Sequence, residues 1–385
     1  MTARTEIVKP RVLHAVDEFG CRSETFVYTV VTGHRTFAAD VLCHSREHAR
    51  EFPFPRVHVA PKPRSRRTLD WWLAASVERA GGRSAWRRQV DAILERVAPD
   101  VIHAHFGPIG CEMAPIARAA GVPMVTSLYG VDAAVLPYLP QWREPYARLF
   151  RDGDLFLAEG PEMRKKIVAA GAPSGRTVLQ PIAIDPAKYP RWSPDNTAPV
   201  VLFVGRFVEK KGLVDAVRAF ARARVRAPQA RFVVVGAGPE EAAARSAVDA
   251  LRVGAAVDFV GMQPHADVIT RLTSAAALIH PSVTASDGDS EGGAPTILLE
   301  AQAIGVPIVA TRHADIPNVV PGGPGVYLCA EHDVDALGDA LAAAVLAGEP
   351  CSPRHVLEHH AISRATSDLE AKYRAVLSGR ARAAV

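Results

Sequence analysis

Apolar residues fall along this chain in two alternating rhythms. Short unbroken runs at 11–15, 100–104, 123–127 and 154–158 read as buried strands, while 86–97 and 161–170 repeat apolar positions at helical spacing. Strand and helix in alternation predict parallel sheets covered by helices. Near 180–199 the rhythm lapses into QPIAIDPAKYPRWSPDNTAP, rich in proline and polar residues, which predicts a domain boundary. The alternation restarts at Val200, with strands predicted at 200–204, 231–235, 257–260, 276–280, 307–310 and 325–328, and a last helix over 361–377. The expectation is an α/β chain of two Rossmann-like domains, 1–190 and 191–360, followed by a helical segment 361–385.

Composition narrows the class without naming it. A chain of 385 residues with 48% hydrophobic content can bury two cores of ordinary size. A net charge of +4 is small for this length and predicts no nucleic-acid partner. The five cysteines, at 21, 43, 111, 329 and 351, are scattered without metal-ligand spacing, so free thiols in a reducing compartment and no metal site are expected. MTARTEIVKPRVLHAV has no long apolar core or cleavage pattern, and no window is apolar enough to span a bilayer, so a cytoplasmic location is expected. The run Lys62-Pro-Arg64-Ser-Arg66-Arg67, before Leu69-Asp-Trp71-Trp72, joins cations to aromatics and is compatible with peripheral contact at an anionic inner membrane face. A solvated loop leading into a packed helix is the commoner outcome for such a run.

Candidate chemistry concentrates in the second half. The strand 200–204 empties into Gly205-Arg206-Phe-Val-Glu-Lys210-Lys211-Gly212, ahead of a helical pattern over 213–226. Cations at the carboxyl edge of an open sheet suit a diphosphate, and they would stabilise the charge that builds on a departing phosphate. Arg206 and Lys211 are the expected ligands, and Lys210 is assigned to surface pairing. Further on, Ser286 to Thr311 reads SDGDSEGGAPTILLEAQAIGVPIVAT. Here Gly292 and Gly293 clear room for backbone to approach a ligand, and Ala294 completes the turn. Pro295 and Thr296 open a helix whose free N–H groups offer a phosphate site. Glu291 stands just outside that helix start and Glu300 more than one turn inside, where a carboxylate can accept from paired sugar hydroxyls.

Together these segments resemble the retaining glycosyltransferase family 4, with its GT-B fold of two Rossmann-like domains facing a central cleft. The resemblance covers 200–328 closely and the first half more loosely. It implies Arg206 and Lys211 at the donor diphosphate, Glu291 near the donor sugar and Glu300 at the ribose. It also implies a final helix that crosses back to the first domain. Eight residues separate the glutamates, one more than is usual in the family, so the turn is reshaped. The EGGAP turn and the Ser23-Glu24-Thr25-Phe26 text resemble a bacterial branch that makes surface polysaccharides. The implied partners are a nucleotide diphosphosugar as co-substrate and a hydroxyl acceptor, with no further cofactor. That acceptor is a glycan, a lipid-linked glycan or, second, a small natural product. A nucleotide-sugar epimerase or hydrolase, and a non-catalytic nucleotide-sugar-binding protein, are the rival classes.

Several first-half residues are expected at the cleft. His103 and His105, alternating at a strand end, share one side of the chain. In the resembled family a histidine matching His105 contacts the donor sugar, which makes His105 a catalytic candidate with Glu291, Arg206 and Lys211. The family's His-Gly-x-Asp appears as Tyr129-Gly130-Val131-Asp132, placing Tyr129 and Asp132 in the sugar or acceptor pocket, with Tyr129 still able to donate through its hydroxyl. Arg22 and Ser23 follow the first strand on the acceptor side, Ser23 reading as a helix cap. Gly236-Ala-Gly238 imitates a dinucleotide fingerprint, but its third glycine position is Glu241, so Gly236, with Gly261 and Met262, is assigned to the nucleotide side of the pocket. Asp287-Gly-Asp289 is assigned to a turn rather than a metal.

Overall fold

The computed structural model describes residues 9–62, 82–194, 198–293 and 295–379. Among them, seven strands form a first sheet: β1 (Arg11–Phe19), β2 (Ala38–Arg46), β3 (Val57–Val59), β4 (Val101–His105), β5 (Met124–Leu128), β6 (Leu155–Ala158) and β7 (Thr177–Leu179). Their order is β3-β2-β1-β4-β5-β6-β7. The second sheet holds β8 (Val200–Val204), β9 (Arg231–Val235), β10 (Val257–Gly261), β11 (Ala277–His280), β12 (Ile308–Thr311) and β13 (Val326–Cys329), in the order β10-β9-β8-β11-β12-β13. All these pairings are parallel.

Each sheet reverses its strand order once, between β1 and β4 and between β8 and β11, and open parallel sheets bind ligands outside the carboxyl ends at such switch points. The central strands read as continuous apolar runs because helices cover both faces; all five residues of β4 are buried. β2, β3 and β7 fall where no strand is predicted. β2 carries Asp40, His44, Ser45 and Arg46, and β3 and β7 are three-residue edges with little pattern.

Phe203, Phe207, Phe220 and Phe232 fill the second core, while Tyr146 and Phe156 anchor one face of the first. On the other face of the first sheet, Leu369, Tyr373 and Val376 of the last helix, Ile362–Leu377, pack against Val12, Val16 and Val125. The chain passes between domains twice, and the passes run side by side. Ile184 N–H donates to the His360 carbonyl at 3.0 Å, and Ile362 N–H donates to the Ile184 carbonyl at 2.8 Å. Among the described residues, no helix is long and apolar enough to cross a membrane. Lys62 pairs with Glu112 at 2.8 Å and lies over the Trp86 ring; the rest of the basic and aromatic run lies outside the described residues.

Candidate active site

The carboxyl ends of both sheets line one cavity of about 270 Å³, near the lower bound for small-molecule sites. From the second domain it is lined by Gly205, Arg206, Lys211, Gly236, Met262, His280, Glu291, Gly292, Gly293, Pro295, Thr296 and Glu300. Gly261 does not line it; its carbonyl accepts from Gly236 N–H at 3.0 Å, below the rim. Gly236 is needed for backbone packing, since a Cβ there would stand 1.9 Å from the Gly205 carbonyl oxygen.

Lys211 sits where a short turn, Glu209–Lys211, ends in Gly212 at φ +65°, and a Cβ on Gly212 would stand 2.0 Å from the Pro281 carbonyl oxygen. This turn aims the Lys211 ammonium at Glu291 Oε1, 2.6 Å away, and Glu291 also accepts from Ser282 Oγ at 2.8 Å. Burial pushes the Glu291 carboxyl up, but Lys211, then His280 and Lys210, outweigh burial and hold it well below the carboxylate range. Glu291 is therefore an ionised partner of Lys211. An ammonium has three donors, so the pairing leaves Lys211 further N–H groups for a ligand. Arg206 is exposed at the same cavity.

Lys210 corrects its assignment to the surface. It is 5% exposed, with its ammonium 3.0 Å from Asp289 Oδ1 and 3.0 Å from the Ser290 carbonyl oxygen, so it braces the loop before Glu291 from within. Asp287 accepts from Asp289 N–H at 2.9 Å, the turn role expected of that pair.

The two glycines are required by protein rather than by ligand alone. A Cβ on Gly292 would stand 1.5 Å from the Tyr129 carbonyl oxygen, and one on Gly293 would stand 2.2 Å from the Glu159 side chain. Both neighbours belong to the first domain, which closes against the turn. Ala294 lies outside the described residues. Pro295 precedes the helix Thr296–Ile304 as its cap residue, in extended geometry, one place earlier than expected. From that helix Glu300, 4% exposed, accepts from His265 Nε2 at 2.7 Å and Tyr189 Oη at 3.2 Å, both on Oε1. The Glu300 bond raises the His265 pKa against the opposing effect of burial.

From the first domain come Arg22, Ser23, Phe26, Tyr129 and Glu159. Arg22 is tied to Glu51 at 2.9 Å. Ser23 is not a helix cap: it lies inside a short turn, Arg22–Glu24, and Glu24 precedes the helix Thr25–Gly33. Three further expectations are corrected. His103 and His105 do share one side, with ring centroids 4.3 Å apart, but both are buried beside β1 and neither lines the cavity. Asp132 is buried beneath the loop and does not line the cavity either. Its carboxylate accepts from Gly107 N–H at 2.9 Å, Tyr129 N–H at 3.0 Å and Gly130 N–H at 2.7 Å, so it holds the loop that presents Tyr129.

Glu159 and His280 carry no sequence signal yet face the cavity. Burial pushes the Glu159 carboxyl well above its ordinary range, and its Oε1 is buried without a partner. His280 is fully buried 3.6 Å from Glu291, with neither ring nitrogen in a hydrogen bond, and burial lowers its pKa. Only tertiary placement makes these two visible.

Two Rossmann-like domains enclosing one cleft at the switch points of both sheets are the GT-B architecture. The chain belongs to glycosyltransferase family 4: residues 23–188 match the model described as Glycosyltransferase Family 4, and 187–361 match that of Glycosyl transferases group 1. WcaL of Escherichia coli (strain K12), named for colanic acid biosynthesis, is 32% identical over 281 residues, which are 71% of this chain and 68% of WcaL. The amylovoran biosynthesis glycosyltransferase AmsK of Erwinia amylovora is 30% identical over 249 residues, 63% of this chain and 61% of its own. Among solved structures, Anabaena HepE in complex with UDP and glucose shares the fold at TM-score 0.75 and 16% identity, covering 95% of this chain and 100% of HepE.

Proposed function

We propose that this glycosyltransferase moves a sugar from a nucleotide diphosphosugar to a hydroxyl of a glycan or lipid-linked glycan precursor of a surface polysaccharide, with retention at the anomeric carbon. The observation that carries this reading is the convergence of Arg206, Lys211, the Thr296–Ile304 helix start and Glu300 on one cavity. The names of WcaL and AmsK support the polysaccharide setting, and the UDP and glucose of HepE support the donor class. The diphosphate lies on Arg206, Lys211 and the helix start, and the ribose hydroxyls meet Glu300, whose Oε1 is already held by Tyr189 and His265. As the nucleotide leaves, these cations and N–H groups stabilise its growing charge without reorganising, and the scheme needs no metal. The acceptor attacks from the face the nucleotide leaves, and a leaving phosphate oxygen takes its proton.

Thermal-shift screening against UDP-, GDP-, ADP- and TDP-sugars tests the donor, because a ligand at a hundred times its dissociation constant stabilises by about 2.7 kcal/mol. Lys211→Ala should lower turnover at least about tenfold, since a charge-assisted hydrogen bond contributes about 1.5–3 kcal/mol. It also leaves Glu291 buried and unpaired, so Lys211→Ala with Glu291→Gln separates that effect. Unchanged turnover in both variants would sink the diphosphate assignment.

A further inference from the structure

Behind the cavity wall runs a buried chain of hydrogen bonds that ends on the last helix. Tyr129 Oη lies 2.7 Å from His105 Nδ1, and His105 Nε2 lies 2.9 Å from His14 Nδ1. His14 Nε2 lies 2.9 Å from His34 Nε2, and His34 Nδ1 lies 3.4 Å from Glu370 Oε1. Burial lowers the pKa of His14, His105 and His34, so all three rings are neutral near pH 7 and each carries one N–H and one acceptor nitrogen. Burial opposes ionisation of Glu370, but the Thr36 hydroxyl and the N–H groups of Thr36, Arg35 and Phe37 bring it down to about 2. It is a carboxylate and can only accept.

An accept-only end fixes every link. His34 must carry its hydrogen on Nδ1, which leaves Nε2 to accept from His14 Nε2–H. His14 Nδ1 then accepts from His105 Nε2–H, and His105 Nδ1 accepts from the Tyr129 hydroxyl. We propose that Glu370, through His34, His14 and His105, commits the Tyr129 hydrogen inward, so that Tyr129 meets a cleft ligand only as an acceptor of a hydroxyl or N–H hydrogen bond. The last helix thereby sets the polarity of one contact in a site it does not touch, and the donor role expected of Tyr129 is reversed. Phe26 and Phe106, with ring centroids 4.7 Å from that of Tyr129, hold the ring in place. Ring nitrogens of His14, His103 and His105 lie close enough to hold a metal ion, but all six are already in hydrogen bonds, His103 with Tyr373 Oη at 2.6 Å and Ser127 Oγ at 2.8 Å.

What Tyr129 meets rests on the proposed sugar-transfer reading, but the hydrogen positions do not. Long-range 1H–15N correlation spectra of the full chain labelled in histidine, near pH 7 and without ligand, should show Nδ1–H for His34 and Nε2–H for His14 and His105. A hydrogen on His105 Nδ1, or a charged ring in the chain, overturns the proposal whether or not any sugar is transferred. His34→Phe removes the acceptor for His14, so His14 and His105 should both change to Nδ1–H and free the Tyr129 hydrogen to face the cleft. Turnover should then fall about fivefold or more, the effect of one misdirected hydrogen bond. In a Tyr129→Phe background the same change should cost less than about twofold, because the message has no receiver. An equal loss in both backgrounds would show a merely structural role for His34 and defeat the assignment.

Discussion

At the residue scale, the donor turn shows what a glycine can mean. Gly292 and Gly293 look, from sequence, like room for a ligand; the structure fills that room with the Tyr129 carbonyl and the Glu159 side chain. Gly292→Ala should therefore prevent full closure, because its Cβ would meet backbone rather than a side chain that can turn aside. Turnover should fall on the order of a hundredfold, the penalty for misplacing reacting groups by about 1 Å, while each domain keeps its core. Steady-state kinetics beside a far-ultraviolet melt check this, and full activity would show that the turn yields. Glu159 allows a second test. Its folded pKa is raised, so between the ordinary value near 4.5 and the raised one the folded state holds a proton the unfolded state has lost. Stability must then fall as pH rises through that window. Glu159→Gln, neutral throughout, should remove that fall and leave the variant the more stable at alkaline pH in urea titrations; identical pH slopes would count against a protonated Glu159. Arg206, Lys211, Glu291 and Glu300 could be placed at the cleft from sequence because they stand in recognisable text after a strand or about a helix start, Glu300 more than one turn inside its helix. Glu159, His280 and the His14–His34 link could not, since their meaning comes from neighbours distant in sequence.

At the scale of elements, legibility followed burial. Strands covered on both faces, such as β4 and β8, announce themselves as apolar runs. β2 does not, because it pairs along β1 from Arg11 to Phe19 while carrying polar side chains at its end. The helix Pro161–Ala169 was legible too, but its cap was not. Gly160 precedes it without a side chain to offer, and Asp315 of the second domain supplies the carboxylate, accepting from Glu162 N–H and Met163 N–H at 3.0 Å each. A Cβ on Gly160 would stand 2.3 Å from the Asp315 carboxyl carbon, so this glycine admits the other domain's cap. No local reading of PEMRKKIVA could supply a partner more than 150 residues away.

For the whole molecule, that borrowed cap is a latch. The two chain passes at Ile184 and Ala361 are bonded to each other where they join the domains. Across the cleft, Asp315 joins the Pro161–Ala169 helix, and Lys166 donates to Ser290 Oγ. The cavity, about 270 Å³ and near the lower bound for ligand sites, leaves little room for a donor and an acceptor together, which predicts that the domains move apart to admit them. Asp315→Ala removes two hydrogen bonds to a charged acceptor, about 1.5–3 kcal/mol each at most, from the closed side alone. The ligand-free variant should show a larger radius of gyration by small-angle X-ray scattering. A donor that selects the closed state should bind more weakly in proportion to that state's lost population, on the order of tenfold, while saturating donor restores the compact form. Gly160→Ala should act in the same direction by obstructing the latch. If scattering and donor affinity both stay unchanged in Asp315→Ala, the latch does not govern closure; if the variant expands but binds donor as tightly, opening and binding are uncoupled and Asp315 serves only its helix.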